Sequence, residues 1–321
     1  MMVKPREITT NPRKSDKIFR SVVSVVGLIA FAVLLLIGTF LAIRGFEIFK
    51  LEGFKFLTTA EWEVVTDEAG NQKVTFGIAA MLLGTVLIAI TALTIGVPLS
   101  VLTALYLNFY APTRIKSLLT SVIDLMASFP SILYGLWGYF VVMPMAIYWS
   151  KLLHKYLGWI PIFDVEQPFY ERSPFLAGIV LAIMIIPIVT SVSREIFSQA
   201  PLDRIQAAYA LGATRWAMIK AVVLPFGSSG VVGGAMLGLG RAFGETVAVY
   251  SILNIVFKIN WHILFGMGGN VASMIVLKWG EASPIETKAL LAAGFVLFVL
   301  TLIVNFAADF IVNRAVKSGK A

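Results

Sequence analysis

The sequence predicts an all-α protein that crosses a bilayer about six times, and three observations carry that prediction: the apolar fraction, the long uncharged runs, and the uneven spread of lysine and arginine. Of 321 residues, 58% are hydrophobic and 14% charged. That is more apolar surface than a soluble domain of this length can bury, so lipid must be part of its solvent. Cysteine is absent, which excludes disulfides, thiolate metal sites and thiol nucleophiles. The two histidines, His154 and His262, stand far apart in sequence and are a poor basis for metal chemistry. A formal net charge of +8 belongs, in such a chain, to inner loops and anionic headgroups rather than to nucleic acid.

A span needs about 20 mostly apolar residues. A basic tail, 1–19, leads into an uncharged run at 21–43, long enough for a full crossing, so the first span is placed at 20–43 as a retained helix rather than a cleaved leader. With its outer loop this first unit extends to residue 75, and its stretch 44–73 carries six carboxylates. The membrane core, 76–313, opens with a second span at 76–108. No charge falls between Lys73 and Arg114, and the run is long enough to tilt, with Pro98 at its kink. The remaining spans are placed at 122–148, 174–193, 227–256 and 287–312, followed by a tail at 314–321. With the N-terminus inside, the inner segments hold 15 Lys and Arg and the outer ones 10, so both termini are placed on the cytoplasmic side. Trp149, Trp159 and Tyr170 border the second outer loop, where they suit either an interfacial belt or packing.

The inner segment between spans four and five, about 194–225, is too polar to cross and too patterned for a simple connector. Pro201 suits the first turn of a helix through Leu211, and Gly212 suits the left-handed residue that ends it. Thr214 suits the cap of a second helix that stops before Pro225. Ile205, Ala208, Tyr209 and Gly212 recur at helical spacing and form a narrow face that fits a shallow groove on another protein, or lies on the membrane surface.

The fifth span contains Arg241 and Glu245. A charge at mid-bilayer costs roughly 3 kcal/mol, so such residues face a bundle interior or an aqueous path. At i and i+4 of one helix they would share a face and pair, either to fix helix register or to serve a solute. Gly234 with Gly238, and Gly240 with Gly244, have the spacing that lets another backbone come close. An arginine among close-packed helices makes an anion path, because a guanidinium holds a tetrahedral oxyanion through two parallel hydrogen bonds. A nearby carboxylate would favour phosphate, which keeps a proton at neutral pH, over sulfate, which does not. In this reading Glu245 either orients Arg241 or accepts that proton. Asp124, in the third predicted span, reads as capped or at headgroup level, and Asp309 as interfacial.

Two sets of residues carry a resemblance. Gln206, Ala207 and Ala208, then Gly212, then Ile219, Leu224 and Pro225 resemble the E-A-A, G, I-x-L-P signature of ABC importer permeases, whose short helices dock into a cleft on the ATP-binding subunit. Gln206 stands where that signature has glutamate, which argues against an ion pair from that position. The block LGLGRAFGETVAV at 237–249 closely resembles the PstC family, the permease subunits of phosphate-specific ABC importers. Stretches starting at Phe76 (FGIAAMLLGTV) and Ser128 (SFPSILYGLWG), and residues 186–197, are similar to the same family. The resemblance covers about 50–310 and implies the type I ABC importer permease fold, with the arginine and glutamate in the transport path. It also implies a phosphate importer in a bacterial or archaeal cytoplasmic membrane, containing a second permease of PstA type, an ATP-binding subunit and an extracytoplasmic phosphate-binding protein.

No G-x-x-x-x-G-K-[ST] loop occurs in the chain, so ATP-Mg would be bound by the partner ATPase and this chain would hold no cofactor, no metal and no catalytic constellation. Other readings stand beside this one: a permease for sulfate or molybdate, or a membrane scaffold that transports nothing and uses the Arg–Glu pair for packing.

Overall fold

The computed structural model describes residues 14–66 and 72–318; the start of the basic tail and the end of the C-terminal tail lie outside the described residues. The first span is a helix, α1 (Lys14–Glu52), followed by a single helical turn, α2 (Lys55–Thr58). A two-stranded antiparallel hairpin comes next, β1 (Trp62–Thr66) and β2 (Gln72–Phe76), with Trp62 opposite Phe76 and Val64 opposite Val74. The remaining helices are α3 (Ala79–Phe109), α4 (Thr113–Ser128), α5 (Ser131–Leu157), α6 (Pro174–Ser198), α7 (Leu202–Ala210), α8 (Arg215–Gly244), α9 (Val247–Ile252), α10 (Val271–Trp279) and α11 (Pro284–Ser318). Six of these, α1, α3, α5, α6, α8 and α11, are long and apolar enough to cross a membrane.

Packing is organised around α3 and α6, the most extensively paired helices, with α8 laid along α6 and α1 along α11. A central cluster joins Ile88 and Ala92 of α3, Leu181 and Ile185 of α6, Leu239 and Phe243 of α8, and Val249 of α9. At one end, Phe56, Trp62, Phe76, Met81, Met274 and Leu290 fasten the hairpin onto α3, α10 and α11. Trp62 Nε1 adds a hydrogen bond to Glu286 Oε1 at 3.2 Å. At the other end, Leu105, Phe197, Met218, Ile219 and Val223 gather the start of α8 under α3 and α6. By contrast, α1 buries only Gly38, Gly45 and Ile48 and exposes Phe19, Leu28, Phe31 and Leu36. Lipid is the solvent for that surface, as a helix apolar all round requires.

The second, third and fifth spans depart from the sequence prediction for reasons visible in the structure. The second span, α3, begins at Ala79 rather than at residue 76, because Val74, Thr75 and Phe76 are paired in a strand, a setting that β-branched and aromatic residues favour. The third predicted span, 122–148, divides in two. Pro130 carries no N–H and disfavours helix at the residue before it; Phe129 is extended, and α4 ends there. Asp124 therefore lies exposed on α4, outside the spanning helix. The fifth predicted span stops at Gly244 instead of residue 256. Of the aromatic trio, Trp149 and Trp159 are exposed, while Tyr170 is buried in a cluster with Phe175 and Leu264, so burial, not an interfacial belt, accounts for it. Asp309 is exposed in the last third of α11.

Candidate functional site

The polar site forms where α8 breaks. Arg241 lies in the last turn of α8, and Glu245, the next residue past its end, has an extended backbone with ψ 123°. The two side chains are thus not stacked one turn apart on a single helix, and no ion pair joins them among the described residues. Glu245 is 8% exposed, and its Oε1 accepts the N–H of Ala248 in the first turn of α9 at 3.1 Å. A carboxylate is favourable there, since the first N–H groups of a helix lack internal partners and carry partial positive charge. Arg241 is left without that counterion, and its buried Nε has no hydrogen-bond partner. Tyr134 of α5 packs in the same buried cluster as Ala242 and Phe243, beside the arginine, and its hydroxyl donates to the Met126 carbonyl at 2.7 Å.

A buried polar chain holds the break in place. Asn270 Nδ2 donates to the Glu245 carbonyl at 2.8 Å. The Asn270 Oδ1 accepts the Ser273 N–H at 2.8 Å, and the two residues form a reciprocal cap at the start of α10. The Val271 N–H then donates to Thr85 Oγ1 of α3 at 3.0 Å. Sequence reasoning passed over Asn270 and Thr85. The signal was a capping pattern, Asn-x-x-Ser, ahead of an apolar run.

The glycines of α8 divide between two faces. A Cβ at Gly234 would stand 3.3 Å from Val192, and one at Gly238 would stand 3.1 Å from Val189, so this pair lies against α6. Gly227 and Gly230 extend the same stripe, toward Phe197 and Ile196. Gly240 and Gly244 meet nothing within 4 Å. The sequence pairs them as a second packing motif, but both lie off the stripe that meets α6, and among the described residues an added Cβ at either would touch no other helix.

At the far end of α8 lies the segment 194–225. Gly212 has φ 80°, the left-handed conformation that ends α7, and Thr214 Oγ1 accepts the Ala217 N–H at 3.2 Å. Gln206 and Ala207 are exposed, as is Leu211. Ile205 and Ala208 pack inward on the Met218 and Ile219 cluster. The face predicted for docking is therefore split: Ile205 and Ala208 hold α7 onto the body of the protein, while Gln206, Ala207 and Tyr209 look outward. Arg215 ties the segment to the end of α3 through the Phe109 carbonyl at 3.0 Å and the Tyr110 ring at 5.2 Å.

The second helix of this segment does not stop before Pro225. It runs on into the fifth span through a π-turn, Ile219–Val223, in which the Leu224 N–H reaches back to the Ile219 carbonyl. Proline offers no N–H and its ring crowds the carbonyl four residues earlier; a widened turn just ahead of it relieves that conflict, and the helix continues. Leu224 packs on the inner cluster, and Pro225 is exposed. The outward segment and Arg241 thus sit at the two ends of one helix.

A family model described as binding-protein-dependent transport system inner membrane component matches residues 96–317, from the middle of α3 through the last span. The phosphate transport system permease protein PstC 2 of Mycobacterium tuberculosis is 41% identical to this chain over 311 residues, 96% of this chain and 93% of the relative. The phosphate transport system permease protein PstC of Mycobacterium leprae is also 41% identical, over 326 residues and 99% of each chain. Among solved structures, a chain of a bacterial alginate ABC transporter, in complex with an alginate pentasaccharide-bound periplasmic protein, aligns with a TM-score of 0.58. The alignment covers 95% of this chain and 99% of that one at 16% identity, a likeness of fold.

Proposed function

We propose a phosphate permease on one premise: the chain belongs to the family of binding-protein-dependent transport system inner membrane components, and relatives spanning nearly its full length are named phosphate transport permeases. It is a multi-pass membrane component of an ABC importer, and its work is to carry inorganic phosphate across the cytoplasmic membrane. The observation that supports the chemistry is Arg241, a cation in a spanning helix whose Nε is buried and unpartnered. An arginine in a spanning helix that pairs with no carboxylate among the described residues is poised for an anion that arrives from outside.

In this reading the guanidinium binds two phosphate oxygens, and the carboxylate of Glu245 accepts the proton that phosphate, unlike sulfate, still carries. An orienting contact from Glu245 to Arg241 is not part of it, because no ion pair joins the two among the described residues. ATP-Mg is bound by a separate ATPase subunit, and the outward face of α7 around Gln206, Ala207 and Gly212 docks on it. The α7 end is therefore cytoplasmic, with both termini on that side. The hairpin end faces an extracytoplasmic phosphate-binding protein. A second permease of PstA type covers the open side of α8, around Gly240 and Gly244, and the phosphate path runs between the two.

The test is reconstitution of the chain with its partner permease and ATPase in liposomes, with phosphate-loaded binding protein outside, comparing wild type with Arg241→Ala. Phosphate uptake should fall by about 100-fold with the complex still assembled, and sulfate should not be carried. Full uptake by Arg241→Ala at normal assembly would sink the role of the arginine; sulfate uptake in place of phosphate by the wild type would sink the substrate.

A further inference from the structure

Arg172, two residues before α6 and at the hairpin end, takes no part in the reading above, and three observations single it out. Among the described residues it alone, apart from glycines, has a positive φ, 52°, a left-handed backbone that recurs where geometry serves a function. Its guanidinium is held from two sides by neutral groups: Nη1 donates to Asn254 Oδ1 at 2.5 Å and Nη2 to Tyr139 Oη at 3.1 Å, with the Tyr139 ring centre 4.9 Å away. No carboxylate pairs with it among the described residues. Its charge is oriented but not neutralised, and three of its five N–H donors remain for an acceptor.

Both groups that hold Arg172 lead to Arg241. Asn254 lies just past the end of α9, while Arg241 and Glu245 lie just before its start. At the usual helical rise, α9 measures about 9 Å. Tyr139 follows Tyr134 by five residues on α5, about 7 Å along the axis, and Tyr134 shares a buried cluster with Ala242 and Phe243, the two residues after Arg241. Two elements, unrelated in sequence, thus each lead from the surroundings of Arg241 to a group that holds Arg172, along short helical segments.

We propose that Arg172 is a second oxyanion-binding position, the one an anion meets before Arg241. Two cationic positions in series suit transport better than one deep site, since each binds strongly enough to receive the ion and weakly enough to release it. A guanidinium clamped by an amide and a phenol is presented in a fixed direction, and no side-chain carboxylate competes with the incoming phosphate for its charge. This proposal rests on the phosphate-permease reading.

The experiment uses the assembled importer in liposomes, with phosphate uptake and ATP hydrolysis measured together for wild type, Arg172→Lys, Arg172→Gln and Asn254→Asp. If the charge acts on the anion, uptake declines from arginine to lysine to glutamine, with glutamine about tenfold below wild type and hydrolysis within about twofold. Asn254→Asp strengthens the clamp but neutralises the cation, so its uptake should fall as well. If Arg172 serves only to pin the loop, lysine, which loses the same two contacts, drops as far as glutamine, and Asn254→Asp stays at wild-type uptake; either result overturns the proposal. A wild type that carries no phosphate overturns the underlying reading instead, whatever occupies position 172.

Discussion

One helix of this protein has two faces that the same residue type treats in opposite ways. Along α8, Gly227, Gly230, Gly234 and Gly238 let the backbone settle against Phe197, Ile196, Val192 and Val189 of α6. Off that stripe, Gly233, Gly240 and Gly244 have nothing within 4 Å of an added Cβ, and Leu237 is exposed. The first face shows what small residues do inside a bundle, where close approach replaces the hydrophobic drive that lipid cannot supply. The second shows a helix half finished. A surface that is open in one chain, next to an arginine with no ion-pair partner among the described residues, is where the proposed second permease would fit.

The largest expected effect comes from violating the packed face. In Gly230→Leu the first added carbon would already stand 2.4 Å from Ile196, so α6 and α8 must part. Thermal unfolding of the purified chain in detergent should show a loss of about 3 kcal/mol, at the upper end of overpacking costs. A wild-type melting profile would mean that α8 does not rest on α6. An intermediate effect is expected from the break between the two helices. Asn270→Ala removes the cap of α10 and the bond to the Glu245 carbonyl, and about 1–2 kcal/mol should be lost in the same assay. The smallest change in stability belongs to the open face. Gly240→Leu should leave the isolated chain within about 0.5 kcal/mol of wild type, yet reduce co-purification of the partner permease or block uptake. Should this variant instead destabilise the chain alone, the contrast between the faces disappears.

Much of this architecture was legible before any coordinates. Hydropathy yielded the number of spans, six, since such long apolar runs have no other stable environment, and the cap pattern around Gly212 and Thr214 located the turn after α7. What stayed hidden depends on interruptions. Hydropathy averaged over a span runs across Phe129 and resumes at Val247, Ala248 and Val249, so it did not show that the backbone stops being helical at Phe129 and at Glu245; Pro130 was a local mark of the first break only. For the same reason Arg241 and Glu245 looked like neighbours one turn apart. Pro225 misled in the other direction, because a proline usually ends a helix and the π-turn that excuses it leaves no mark in composition. The contact between Arg172 and Asn254 joins residues far apart in the chain, and single-sequence pattern carries nothing about such a pair.

That π-turn has an angular consequence. At about 3.6 residues per turn, the helix from Ile219 to Gly238 sweeps roughly five full revolutions and about 100° more, enough to carry the inner cluster and the glycine stripe onto different sides. A single turn that takes in one additional residue cancels close to that surplus. Ile219, Val223, Gly227, Gly234 and Gly238 are all buried, in line with a stripe kept in phase along its whole length. The aim of Arg241 is accordingly set some five turns away from it. Removing one residue within 219–223 would leave an ordinary helix with the arginine pointing where it does now, whereas removing one anywhere in 226–240 would swing it by about 100° relative to the segment before the deletion.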